Sequence, residues 1–155
     1  MRLYLVQHGE ARSKEEDPGR GLSEKGIQDI TKIAQYVSNL GIKTSRVFHS
    51  GKTRALQTAR VLADYLKVDQ GITEAEGLSP MDDPRIWSDR ISGMQEDIML
   101  VGHLPHLAVF SSLLLCGAQD KNIINFKMAG IVCLQRAEDG NWAIDWMITP
   151  EVVHH

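Results

Sequence analysis

At 155 residues, with 43% hydrophobic and 24% charged side chains, the chain has the length and mix of one ordinary globular domain, which excludes a disordered or fibrous protein. A net charge of −3 gives no bulk attraction for nucleic acid, and no apolar run reaches membrane-spanning length. Cys116 and Cys133 lie in apolar runs without CxxC spacing, so two buried reduced thiols are the first reading and a disulfide between them the second. Reduced thiols and the lack of a basic-then-apolar opening segment lead us to expect a cytoplasmic location.

In chain order, Arg2 to Gln7 reads as a short buried strand. Asp17-Pro18-Gly19-Arg20-Gly21 is a loop by composition. Ser23 caps a helix running to about Leu40, with Ile27, Ile30, Ile33, Ala34, Val37 and Leu40 on one face and Gly41 at the stop. Arg46 to His49 is a second strand. A helix follows over Thr53 to Leu66, with Leu56, Ala59, Arg60 and Ala63 in register. Val68 to Ala75 holds a further short strand, and Pro84 to Ile91 a short helix with its proline in the first turn. Asp97 to Val101 is a strong strand signal, followed by an apolar helix from Leu104 to Cys116 opened by Pro105. Ile131 to Leu134 and Trp142 to Ile148 pair as a hairpin through Asp139-Gly140. Alternating strands and helices predict an α/β domain with a mostly parallel sheet covered on both faces. That domain takes in residues 1–150. Residues 151–155 form a tail in which His154 and His155 read as the remnant of a purification tag.

Three apolar strands end in glycine-containing turns bearing a cationic or potentially cationic residue. They are Gln7-His8-Gly9, Ser50-Gly51-Lys52-Thr53-Arg54 and Val101-Gly102-His103-Leu104-Pro105. Ligands of open α/β sheets sit outside the carboxyl ends of the strands, and helix openings offer unpaired N–H groups to anions. If the strands run parallel, His8, Arg54 and His103 converge on one edge, where the natural guest is a phosphate. Taken singly, each residue has a structural alternative: a hydrogen-bonded strand-end histidine, a solvated helix arginine, a helix-capping histidine.

The run LVQHGEA resembles the Arg-His-Gly signature of the histidine phosphatase superfamily, with Gln7 in place of the arginine. SGKTRALQTA resembles its second block, with Gly51 in place of a proline, and LVGHLPHL its Val-x-His-x-Pro block. The chain length and the RGLSEKG and EGLSP segments look most like the small SixA-type phosphohistidine phosphatases. The resemblance covers residues 2–148. It implies a three-layer αβα sandwich of the phosphoglycerate mutase-like kind, a metal-independent phosphatase with no cofactor, and His8 as nucleophile. The implied phosphate-binding set is Gln7, Gly9, Arg20, Arg54 and His103. The implied substrates are a protein carrying phosphohistidine or, alternatively, a small phosphate ester, with inorganic phosphate as product and neither nucleic acid nor membrane as partner.

The chemistry fits those residues. A neutral imidazole attacks phosphorus and forms a covalent intermediate. Gly9 lets backbone approach the phosphoryl group. Arg54 holds equatorial oxygens with a planar fork, and a protonated His103 adds a second cation. Gln7 removes one expected charge, for which Arg20 is the first candidate to compensate and Lys52 the second. An alcohol leaving group needs an acid, for which Glu76 is the candidate and Glu10 and Asp82 are weaker ones. A phosphohistidine releases imidazole and needs less help. Gly51-Lys52-Thr53 imitates the tail of a P-loop, but Arg46 stands where that motif needs glycine. His103 and His106 have a metal-like offset without a partnering Cys or carboxylate. His106 is expected to pack or hydrogen-bond at its helix start, and His49 to line the sheet edge, with phosphate contact as its alternative. Loss of charge at Gln7 leaves a further alternative, a phospho-ligand binding module with weak turnover.

Overall fold

The structure, a computed structural model, describes residues 1–154. His155, half of the expected tag remnant, lies outside the described residues. Six strands form one sheet in the order β3-β2-β4-β1-β5-β6. They are β1 (Arg2–Gln7), β2 (Arg46–His49), β3 (Ile72–Glu74), β4 (Ile98–Gly102), β5 (Ile131–Arg136) and β6 (Trp142–Ile148). The first four run parallel, with β1 beside β4 and β4 beside β2; β5 pairs antiparallel to β1, and β6 to β5.

Four helices cover the sheet: α1 (Glu24–Asn39), α2 (Thr53–Leu66), α3 (Arg85–Ser92) and α4 (His106–Cys116). Alternation along the strands divides the core in two. Tyr4, Val6, Val47, Met99, Val101 and Cys133 face α1 and α2. Leu3, Leu5, Phe48, Leu100, Val132 and Leu134 face α3 and α4. Central strands buried on both faces must be apolar at every position, which explains the unbroken runs read above. The result is the expected three-layer αβα sandwich.

The ends of α1 follow its cap chemistry. Ser23 sits at the N-cap and accepts from Gly26 N–H, and Leu40 closes the helix. Its buried stripe is narrower than the periodicity suggests: Ile30, Ile33, Ala34 and Val37 are enclosed, whereas Ile27 and Leu40 are exposed. On α2 the buried face is Ala55, Thr58, Ala59 and Leu62, not the expected Leu56, Ala59, Arg60 and Ala63. Thr58, a polar residue, faces inward, where its hydroxyl accepts from Gly9 N–H and donates to Arg54 C=O, and this rotates the stripe.

Both cysteines are free, Cys133 buried and Cys116 exposed. The two-buried-thiol reading is therefore corrected at Cys116, which lies on the last turn of α4. After β6, Pro150–Val152 forms a short 3-10 turn, and Val153 packs into the α1 side of the core. Among the described residues no helix is long and apolar enough to cross a membrane.

Candidate active site

The parallel arrangement brings the three glycine-containing turns to one rim. His8 N–H donates to Gly102 C=O at 3.1 Å, which carries the β1–β4 ladder one step past the end of β1. The imidazole therefore emerges where the sheet stops. His8 Nδ1 lies 2.6 Å from Gly9 C=O. A carbonyl only accepts, so Nδ1 carries the hydrogen and Nε2 keeps its lone pair. Burial holds His8 below its ordinary pKa, the Gly9 bond opposes this, and the charges of Arg54 and Arg20 add to the lowering. The ring is neutral at pH 7 with a lone pair on Nε2.

The second block locks the first in place. Gly9 N–H donates to Thr58 Oγ1 at 3.0 Å, and the Thr58 hydroxyl donates to Arg54 C=O at 2.8 Å. Gln57 Oε1 accepts from Leu22 N–H at 2.7 Å. A Cβ at Gly9 would lie 3.1 Å from Gly26 C=O and 3.2 Å from Leu22 Cδ2. This corrects the reason for the glycine: it admits the first turn of α1, and its N–H is already engaged. Gln57 and Thr58 were not singled out from sequence, although both stand in the ALQTA run that signalled the block.

Arg54 opens α2, and its Nε is buried without a partner. Burial and the nearby positive charge of Arg20 both lower its pKa. Arg20 thus stands within electrostatic reach of both His8 and Arg54. Its loop is built by Asp17, whose carboxylate accepts from Gly19 N–H at 3.1 Å and Gly21 N–H at 2.9 Å. Arg20 Nε also donates to Arg12 C=O at 3.2 Å.

His103 completes the rim after β4. Its ring centroid is 5.0 Å from that of His8. Its Nε2 pairs with Ser50 Oγ at 2.7 Å, and its Nδ1 is buried without a partner. Burial, followed by the charges around it, pushes its pKa down to about 3. The free site therefore holds a neutral His103, not a residue near its unperturbed value. Ser50 was also missed in the sequence; the only signal was its place at the head of the second block. Gly51 has φ +88°, which proline cannot adopt, so the departure from the family block is a real change of turn. His49 is buried, and its Nδ1 accepts from Gly51 N–H at 3.0 Å, which makes it a support of that turn.

Among the described residues, the buried side-chain nitrogens and oxygens without partners belong to Gln7, Arg54, His103 and His106. Folded proteins leave few such atoms, and here those of Gln7, Arg54 and His103 stand at one rim. Three of these residues come from three separate strand ends, beside a neutral imidazole.

Residues 3–82 match the histidine phosphatase superfamily, branch 1. An uncharacterised protein of Picosynechococcus sp. strain PCC 7002 is 31% identical over 144 residues, covering 87% of this chain and 85% of that protein. The chain belongs to the histidine phosphatase superfamily. Its fold is SixA-like: the protein histidine phosphatase SixA complexed with tungstate superposes with a TM-score of 0.84 at 22% identity, over 97% of each chain. A mutant phosphoserine phosphatase from Entamoeba histolytica in complex with phosphoserine gives 0.72 at 16% identity, over 97% of this chain and 98% of that one.

Against that superfamily background, the carboxylates of this member matter. Glu10 Oε2 accepts from the Ser23 hydroxyl at 2.6 Å, so it serves the start of α1. Asp82 Oδ2 accepts from Ser79 N–H at 2.9 Å. Glu76 is exposed, and its backbone carbonyl accepts from the buried Trp87 indole at 2.9 Å, which fixes the 75–79 loop to α3. His106 packs, stacked on Phe110 with centroids 5.7 Å apart. Among the described residues no group of three His, Cys, Asp or Glu side chains is placed to hold a metal ion.

Proposed function

We propose that the chain is a protein phosphohistidine phosphatase acting through a covalent intermediate on His8. One observation carries this reading: a neutral imidazole with a defined Nε2 lone pair beside the unpartnered Arg54 Nε and His103 Nδ1. Neither atom has a structural task, and a tetrahedral oxyanion would accept from the Arg54 N–H and from a His103 protonated on its arrival.

In the first step the Nε2 lone pair forms a bond to phosphorus as the substrate's P–N bond breaks. That electron pair returns to the departing imidazole, which takes a proton from solvent. The Nδ1–H bond to Gly9 steadies the cationic phosphoimidazole on His8. Arg54 and Arg20 balance the charge on the equatorial oxygens, and Gln7 adds an uncharged amide. The bound phosphoryl group raises the proton affinity of His103, reversing the effect of burial. Water then attacks phosphorus, the P–N bond breaks, and His8 recovers its lone pair as phosphate leaves.

The choice of phosphohistidine rests on the carboxylates. Glu10 and Asp82 are engaged by the fold, and Glu76 lies exposed beside the rim. A substrate whose leaving group needs little protonation suits that arrangement. Exposed Glu76, in the cavity that also touches Ser50, favours the second reading, a phosphomonoesterase with Glu76 as acid. Turnover of a phosphohistidine peptide against phosphoserine and a sugar phosphate separates the two. The first reading expects kcat/KM for the peptide to be higher by about 100-fold. Faster hydrolysis of either ester, lost in Glu76→Gln, would replace it with the second.

A further inference from the structure

A groove leaves the rim on the β3 side. Its inner part is a cavity of about 410 Å³ touching Ser50, Glu74, Glu76, Ser79 and Asp82. Its outer part, about 360 Å³, touches Met81, Asp82, Asp83, His106 and Gln119. Asp82 lines both, so the two parts adjoin at that residue. Ser50 is the inner end, and its hydroxyl is already on His103.

The groove is negative. Asp83 is paired with Arg85 at 2.7 Å. Glu74, Glu76 and Asp82 have no ion-pair partner among the described residues. An independent feature lies in the outer part. His106 is 1% exposed, and neither ring nitrogen has a partner. A neutral imidazole of this kind presents a lone pair, which suits an N–H donor on a cation. The turn at Gly51 contributes as well. A Cβ there would collide with the Glu74 carboxylate, so this chain's glycine admits that carboxylate beside Ser50.

The occupant must be cationic and long enough to reach past the phosphoryl site. No three ligands are placed for a bare metal ion among the described residues. A sugar phosphate, anionic at one end and neutral at the other, gains nothing from three carboxylates. A polypeptide carrying a basic side chain does. We propose that this groove docks a lysine or arginine that flanks the phosphohistidine on the protein substrate, an inference that rests on the phosphohistidine phosphatase reading. The cation would lie between Glu74 and Asp82, with His106 accepting a hydrogen bond from the same segment.

The test uses two phosphohistidine peptides identical except for lysine or glutamate at the flanking positions. Calorimetry measures their affinity for the His8→Ala protein, which holds the peptide without turning it over, and the intact protein is assayed for turnover of both. The lysine peptide is expected to bind roughly tenfold tighter at low salt. In the His8→Ala protein that also carries Glu74→Gln and Asp82→Asn, isosteric changes that keep an acceptor for Ser79 N–H, the ratio should fall to about twofold. Equal affinity for both peptides, or a ratio unchanged by the two substitutions, overturns the groove assignment even if the intact protein hydrolyses phosphohistidine. A lysine preference that the substitutions abolish, without turnover by the intact protein, upholds the groove and overturns the phosphatase reading.

Discussion

The two ends of the parallel strands use arginine in opposite ways. At the amino-terminal rim Arg2 approaches Asp145 at 3.4 Å, and Arg46 meets Gln70 at 2.5 Å and Glu96 at 3.5 Å. Arg136 donates to Ile91 C=O at 2.8 Å and to Met94 C=O, with its guanidinium over Trp142. At the carboxyl-terminal rim Arg54 keeps a buried Nε without a partner, as His103 keeps Nδ1. Partnered arginines tie helices and strands together. The Nε of Arg54 makes no such tie. The same residue type thus serves stability at one end and, in our reading, chemistry at the other.

That contrast can be broken by substitution. The largest effect is expected for His8→Ala, which removes the attacking nitrogen and should lower kcat by at least about 1000-fold. Arg54→Ala should lower kcat/KM by 100- to 1000-fold, about 3–4 kcal/mol, while stability in urea changes by less than about 0.5 kcal/mol. Arg136→Ala should do the reverse. It takes one donor from Ile91 C=O, which still accepts from Met94 N–H, and removes the guanidinium from Met94 C=O and from the face of Trp142, so it should lose about 1–3 kcal/mol of stability, with kcat/KM unchanged at a temperature where it stays folded. If Arg54→Ala unfolds the protein and Arg136→Ala inactivates it, the division between the two rims is wrong.

Smaller effects sharpen the electrostatic half of the comparison. Sulfate, a dianion throughout the useful range, reports on the rim without titrating itself. His103 is held at about 3 and His8 is also lowered, so the free rim stays neutral at those rings. A bound anion raises their proton affinity. Sulfate binding should therefore tighten as pH falls below about 6.5, accompanied by proton uptake. Without sulfate the sign is the opposite for stability. Histidines with depressed folded pKa values leave the unfolded state binding more protons, so stability should fall as pH drops from about 6.5 toward 3. Gln7→Arg should tighten sulfate by several-fold if the rim is one cation short. Unchanged affinity would mean that Arg20 already supplies that charge.

The sequence carried the fold wherever the determining chemistry is local. Ser23 and Leu40 mark α1 correctly because capping is a matter of a few neighbouring groups. Strand order was not legible, since it depends on contacts between distant segments. The face of α2 was misread because Thr58 looks like a surface residue until its hydroxyl is seen between Gly9 and Arg54. His8, Arg54 and His103 could be picked out because three turns repeat one pattern. Ser50 could not, since a serine beside a glycine is common in any loop. The depressed pKa of His103 was equally hidden, because burial is a property of the packed chain.

The central claim is that His8 Nε2 carries the phosphoryl group during turnover. Rapid quenching of the intact protein with 32P-labelled phosphohistidine peptide tests it most directly. The account predicts an acid-labile, alkali-stable label on His8, absent from His8→Ala and chased off by unlabelled substrate. Hydrolysis that proceeds at full rate with no labelled histidine, or with the label on another residue, would contradict it.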